Sequence, residues 1–395
     1  MAMTTEAKVR PMREYYVTCM PGLEEPVAAE LRLLGAEIVR TGGFGVQCRG
    51  DEGLRYRANL WLRAAIRVLE PILHAEVVSP ESLYDAVRSV DWRRHMTVEQ
   101  TLSVDCRLRD SQLRHSGYAA LKVKDAVVDQ FREGCGRRPD VDPKAADLPL
   151  HLHLAADRAV LSRDTSGTTL HKRGYRGAMV KAPLNEALAA GILMLTGWDR
   201  ASSLADPMCG SGTLSIEAAM MAADIAPGLR RPRFPFEGWP DFDAKAWRAL
   251  REEASARALR ELPFPIYASD HHAGALDLAR KTARLAGVES LIRFSVADIA
   301  DFAPDPPPRT IVVNPPYGER IEADADLHAL YWKMGSALRR FPGATAWVLC
   351  ASKALAVRMG FRATSEIKLL NGAIECRLLR YDIWPGSRKA EAKPE

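Results

Sequence analysis

Two short pieces of this 395-residue chain hold residues whose types and spacing can do chemistry: N-P-P-Y at 314–317 and D-P-M-C-G-S-G-T at 206–213. In the first, Pro315 drives Asn314 into extended backbone, and Pro316 does the same to Pro315. Each ring also presets φ at its own position, so the loop is stiff. The side-chain carbonyl of Asn314 and the backbone carbonyl of Pro315 then become two fixed acceptors. An exocyclic aromatic amine has two N–H donors and a lone pair delocalised into its ring. Two fixed acceptors hold both donors and direct the lone pair at an electrophile. Tyr317 can stack on the base plane, a contact worth roughly 1–3 kcal/mol in comparable nucleic-acid sites. The chemistry expected of Asn314, Pro315, Pro316 and Tyr317 is in-line transfer of a methyl group to a planar amine. Positioning and fixed dipoles would supply the acceleration, without a strong general base.

The second piece lies between an apolar strand, S-S-L-A-D, and the helical run L-S-I-E-A-A-M-M-A-A. A Gly-rich strand-to-helix turn lets a ligand approach bare backbone N–H groups at a helix N-terminus. Gly210 and Gly212 are in neither a G-x-G-x-x-G pattern nor a P-loop, because no G-K-[ST] follows. Dinucleotide, mononucleotide and adenosylmethionine sites all use such a turn, and so does a plain tight turn. The next two strands, I-Y-A-S-D and I-R-F-S-V, lead to Asp270 and Asp298. A carboxylate at the first position suits a ribose diol and at the second an adenine amine. Each aspartate alone reads equally well as a helix N-cap. Three successive strand ends with an aspartate favour the ligand. The long spacing from Gly210 to Asp270 requires an insertion, supplied by the Pro- and aromatic-rich residues 228–247.

The elements that must position these residues follow from periodicity. From Pro183, short apolar strands alternate with helices, which predicts a parallel, doubly wound α/β sheet. Its last two strands, around Asn371-Gly372, form a hairpin. The N-terminal part is α/β in smaller units. A helix is expected at L-E-E-P-V-A-A-E-L-R-L-L, another over 55–69, and a third after Ser79-Pro80. L-H-L-H-L and A-V-L-S-R-D-T read as a hairpin, with His151 and His153 on its outer face rather than on a metal. The segment T-T-L-H-K-R-G-Y-R-G, 168–177, has no apolar period and reads as a domain junction.

Bulk properties bound the function. A net charge of +5 permits a nucleic-acid partner without arguing for one. Residues 86–124 hold eight basic and four acidic residues, a surface for nucleic acid or simply a solvated face. The candidate phosphate-backbone contacts are Lys122 and Lys124 there, and Lys172, Arg173 and Arg176 in the junction, for which an exposed linker is the equal alternative. The seven scattered cysteines form no C-x-x-C pair and predict reduced thiols, no metal and a cytoplasmic setting. No apolar run is long enough to span a membrane, and no obligate protein partner is evident.

The order of several further motifs carries a resemblance: P-G-L-E-E-P-V-A-A-E-L, S-L-Y-D-A-V-R-S-V-D-W, L-H-K-R-G-Y-R, A-P-L-N-E-A-L-A-A-G-I-L, F-P-F-E-G-W-P-D-F-D and N-G-x-I-E-C. With D-P-M-C-G-S-G-T and N-P-P-Y, the chain resembles the bacterial THUMP-domain RNA guanine-N2 methyltransferases, nearest to the 23S rRNA enzymes. The resemblance implies a ferredoxin-like part over 1–45, a THUMP RNA-binding domain over 46–165, a basic linker over 166–182 and a Rossmann-like class I methyltransferase domain over 183–395. It implies S-adenosyl-L-methionine as cofactor, with S-adenosyl-L-homocysteine as product. Asp206, Pro207, Cys209, Gly210 and Gly212 would line its methionine end, Asp270 would take the ribose and Asp298 the adenine, with Asn314 between cofactor and guanine. The implied substrate is 23S rRNA, with tRNA as the alternative; a non-catalytic RNA-binding factor with a vestigial fold is the reading from another class. Met208 stands where many methyltransferases have a first glycine, and a second methyltransferase domain found in some relatives is not seen.

Overall fold

The computed structural model describes residues 12–176, 184–316 and 324–385. Two seven-stranded sheets organise them. The chain divides into two units, and it passes between them more than once. One unit comprises Met1–Cys19, Val27–Leu170 and Arg231–Glu253, the other Met20–Pro26, His171–Arg230 and Ala254–Glu395.

In the first unit the strands are β1 (Arg13–Cys19), β2 (Glu37–Thr41), β3 (Gly45–Gly50), β4 (Ala65–Glu76), β5 (Leu102–Arg109), β6 (Leu148–Ala155) and β7 (Arg158–Asp164), in the order β2-β3-β1-β4-β7-β6-β5. Helices α1 (Glu24–Leu33), α2 (Leu54–Trp61), α3 (Pro80–Arg88) and α4 (Ser116–Cys135) intervene in sequence. Ser79 caps α3 with a reciprocal hydrogen bond to Ser82, and Pro80 takes the first helical position. Along β6 the leucines 148, 150, 152 and 154 are buried, while His153 is exposed.

One expectation fails in this unit. Residues 55–69 are not a single helix: α2 ends at Trp61, Leu62 is extended, and β4 begins at Ala65. Arg55 and Arg63 are buried, while Arg57 and Arg67 keep part of their side chains exposed. The same A-A-I-R-V-L run satisfies a strand alternation, and sheet pairing on both sides overrides its helical period. β4 pairs with β1 through Ala65–Leu69 and with β7 through Leu69–Glu76. Pro71, which cannot donate to a ladder, sits where that second register slips.

The second unit carries β8 (Leu204–Asp206), β9 (Ile266–Asp270), β10 (Ile292–Val296), β11 (Thr310–Val313), β12 (Thr345–Cys350), β13 (Ser365–Asn371) and β14 (Ile374–Asp382), ordered β10-β9-β8-β11-β12-β14-β13. The first five are parallel and the last two form an antiparallel hairpin at the edge. The helices α5 (Glu186–Leu195), α6 (Thr213–Ala222), α8 (Ala273–Ala286), α9 (Asp324–Leu338) and α10 (Lys353–Arg358) accompany it, while α7 (Ala244–Arg257), which falls between α6 and β9 in sequence, lies mostly in the first unit. Strand order reverses between β8 and β11, so a crevice opens at their carboxyl ends. No helix among the described residues is long and apolar enough to cross a membrane. All seven cysteines are free, and all but Cys135 are buried.

The insertion between α6 and β9 does not stay with the sheet that contains it in sequence. Residues 231–253 belong to the first unit. There the Asp241 carboxylate receives Arg163 at 2.9 and 3.1 Å and Arg55 at 3.1 Å. Glu70, almost fully buried, receives Arg163 at 2.8 Å and Arg13 at 2.6 Å. The Arg163 guanidinium stacks 4.3 Å from the Trp239 ring, and Tyr56, Phe236, Phe242 and Trp247 form an aromatic cluster beside it.

Candidate active site

The site is built on the ends of β8 and β11, which are neighbours in register at Leu204↔Thr310 and Ala205↔Ile311. β8 ends in Asp206 and β11 delivers Asn314 one residue beyond its last position. After Asp206 the turn is tied to the end of β9: the Cys209 N–H donates to Ser269 O at 2.9 Å and the Gly210 N–H to Asp270 Oδ2 at 2.9 Å. Gly210 and Gly212 both have positive φ, 52° and 79°, a region that side chains disfavour. A Cβ on Gly212 would also stand 3.0 Å from the Ala279 Cβ on α8, whereas one on Gly210 would meet open space. The first glycine lets a ligand come close, and the second lets α6 and α8 approach each other.

Asp206 is 1% exposed. Its Oδ2 accepts from the Ser215 hydroxyl at 3.1 Å, and its Oδ1 is buried with no hydrogen-bond partner among the described residues. Burial pushes its carboxyl up to about 7; the Ser215 hydroxyl opposes this, the Asp270 charge adds to it, and the backbone N–H groups of Met208 and Ser215 nearby oppose it further. Asn314 Oδ1 is likewise buried and unpartnered. Native proteins rarely leave such acceptors orphaned, and these two stand on adjacent strand ends at the crevice. A carboxylate oxygen and an amide oxygen awaiting donors fit a ligand with an ammonium group beside an amine-bearing ring.

Asp270 accepts from Gly210 and, through Oδ1, from the His272 N–H at 3.0 Å. Lone pairs remain for a diol, since a carboxylate accepts about four hydrogen bonds. Asp298 lies two residues past β10 and accepts from the Ala300 N–H at 2.8 Å. Pro207 and Cys209 lie within the turn, and burial pushes the Cys209 thiol far above its usual range, so it acts as a small apolar group. Pro315 is buried and Pro316 half-buried; Tyr317 lies outside the described residues.

The expected RNA contacts part company. Lys172 is exposed. Lys122 lies 5.6 Å from the Tyr118 ring, and Lys124 pairs with Asp125 at 2.6 Å. Arg173 is a correction: it is 1% exposed, with its guanidinium on Glu217, so it has no face for a phosphate. Arg176 is a second correction, since it donates to Thr213 Oγ1 at 2.6 Å and Leu184 O at 2.7 Å. Burial of the junction outweighed the solvation expected of a basic run. Sequence reasoning missed Ser215 and Glu217. Only their place in the first turns of the helix after the glycine turn could have flagged them.

Comparisons with known proteins agree with this architecture. Residues 14–69 match the RlmL ferredoxin-like domain, 78–164 the THUMP domain and 173–380 the RMKL-like methyltransferase domain. The chain is 45% identical over 382 residues to a ribosomal RNA large subunit methyltransferase K/L of Syntrophotalea carbinolica, covering 94% of this chain and 53% of that protein. It is 38% identical over 381 residues to a putative RNA methyltransferase of Synechocystis, covering 96% of this chain and 99% of that one. A putative methyltransferase crystallised as a complex with SAH superposes with a TM-score of 0.86 at 28% identity, over 95% of this chain and 99% of the other. The chain spans about half the length of the K/L relatives it matches. With its Rossmann-like sheet, its glycine turn and Asn314-Pro315-Pro316 at the end of β11, this chain belongs to the RMKL-like methyltransferase family.

Proposed function

We propose that this chain transfers a methyl group from S-adenosyl-L-methionine to the exocyclic N2 of a guanine in structured RNA, with 23S rRNA as substrate ahead of tRNA, in the cytoplasm. The observation that carries the reading is the pair of buried, unpartnered oxygens, Asp206 Oδ1 and Asn314 Oδ1, at the ends of neighbouring strands. Asp206 would hold the methionine end of the cofactor, with the Gly210–Gly212 turn under it; Asp270 would hold the ribose and Asp298 the adenine. The bound cofactor supplies an electrophilic methyl carbon. Asn314 and the Pro315 carbonyl would accept from the target amine and hold its lone pair in line, with Tyr317 stacked on the base. The amine proton turns acidic only as the nitrogen takes on its new bond, so it can pass to solvent without a strong base. Lys122, Lys124 and Lys172 remain proposed contacts to the RNA backbone. The 23S rRNA reading rests on the K/L relatives, whose names specify large-subunit ribosomal RNA.

The test is a transfer assay with radiolabelled S-adenosylmethionine on total RNA from a strain lacking the gene, followed by mapping of the labelled nucleotide. A single N2-methylguanosine in 23S rRNA is expected. Label in tRNA would move the substrate, and label on adenine would overturn the guanine assignment.

A further inference from the structure

The junction read as a basic linker has a different occupation. Thr213 opens α6 and Glu217 lies four residues on, so both face the same side of that helix. Both are gripped by the segment Arg173–Arg176. Arg173 Nε and Nη2 lie 3.3 Å from the two carboxylate oxygens of Glu217, and the Tyr175 hydroxyl donates to Glu217 Oε1 at 2.8 Å. Glu217 and Tyr175 are fully buried. Gly174, with φ +90°, turns the chain between Arg173 and Tyr175 so that both reach one carboxylate. One turn nearer the helix start, Arg176 donates to Thr213 Oγ1 and faces Glu186 Oε1 at 3.3 Å.

We propose that Arg173, Tyr175 and Arg176 form a two-level clamp on α6 and act as positioning residues for the cofactor turn. The proposal rests on the function proposed above. A buried ion pair is a poor way to add stability, because desolvating each ion costs several kcal/mol and attraction only offsets that. What it fixes is geometry. Thr213 is the last residue of D-P-M-C-G-S-G-T, so a shift of the α6 N-terminus moves the Gly210 and Gly212 amides with it. Ser215, in the same turn, holds Asp206. The clamp therefore sets where the turn's donors and the Asp206 carboxylate stand before any ligand arrives.

The test is calorimetric binding of S-adenosylhomocysteine to the full chain, with thermal melting alongside. Arg176→Ala is expected to raise Kd about tenfold, the equivalent of ~1.4 kcal/mol. Arg176→Lys, which keeps a donor in reach of Thr213, should recover part of that loss. Because truncation at Arg173 can unfold the protein, the second variant is Arg173→Met/Glu217→Gln, which removes both charges while keeping volume. It should melt close to wild type and still bind more weakly. Wild-type Kd in both Arg176→Ala and the double variant overturns the clamp, as does a loss of binding that vanishes once the folded fraction is matched. Failure of the wild type itself to bind S-adenosylhomocysteine would overturn the functional reading, and the clamp with it.

Discussion

Asn314 offers one buried acceptor to a ligand and has no competing donor within the described chain. Asn314→Ala is expected to cut methyl transfer by about 10²–10³-fold, the scale of removing one preorganised polar group. S-adenosylhomocysteine affinity should stay within a few-fold of wild type; equal turnover in a single-turnover assay would remove Asn314 from the mechanism. Asp206 makes a prediction in pH. Its ordinary value is 3.8 and burial raises it to about 7, so the folded chain holds a proton there that the unfolded chain has released. Stability from this group is full below about pH 4, falls as pH rises toward about 7 and then levels off. A cationic ligand group needs the ionised form. Cofactor affinity should therefore climb through about pH 7 and flatten roughly one unit above it. Asp206→Asn should bind weakly at every pH and lose that slope in a calorimetric titration.

At the scale of elements, the glycine turn and the aromatic insertion are the exacting parts. Gly212→Ala would place a Cβ at positive φ and 3.0 Å from Ala279. A cost of about 1–3 kcal/mol in urea denaturation is expected, from left-handed strain and from pushing α6 off α8. Asp241 in the insertion is a second test. Burial opposes its ionisation, but the Arg163 hydrogen bond and the Arg163 and Arg55 charges outweigh that and hold its carboxyl well below the usual carboxylate range. Its contribution is then complete above the ordinary carboxylate pKa and is lost only as pH falls through the depressed value. Asp241 keeps 28% of its side chain exposed, so Asp241→Asn should cost roughly 2–3 kcal/mol, a little under the loss of a fully buried pair. An unchanged denaturation midpoint would show that Arg55 and Arg163 are satisfied without it.

For the whole molecule, the assignment of residues 231–253 to the first unit decides how the chain can be cut. A fragment beginning at 171 would keep that segment but lose its partners. It would then expose Phe234, Phe236, Trp239 and Trp247, all buried in the intact chain. Such a fragment is expected to self-associate by light scattering, and replacing 231–253 with a short flexible linker should restore a monodisperse species. If the unmodified fragment is monomeric and binds S-adenosylhomocysteine normally, the insertion does not depend on the first unit.

The strand-end residues were legible because they depend on local rules. Pro315 and Pro316 dictate the shape of their own loop, a G-x-G turn between strand and helix suits an α/β crevice, and Asn371-Gly372 between two apolar runs signals a hairpin, whose two-residue loop is Gly372-Ala373. Residues 55–69 were not legible, since A-A-I-R-V-L satisfies both a helical and a strand period, and only pairing with β1 and β7 chooses. Arg173 and Arg176 misled for a related reason. A basic run looks solvated until a buried carboxylate is brought to it, and Glu217 arrives from a helix 44 positions away from Arg173. Asp241 joined the buried arginines Arg55 and Arg163, far from it in sequence, by the same route. The sequence by itself determined which residue types stand at the sheet's carboxyl ends. The tertiary structure decided which charges face solvent and which hold the site in place, because burial and pairing are properties of neighbours that the chain order does not contain.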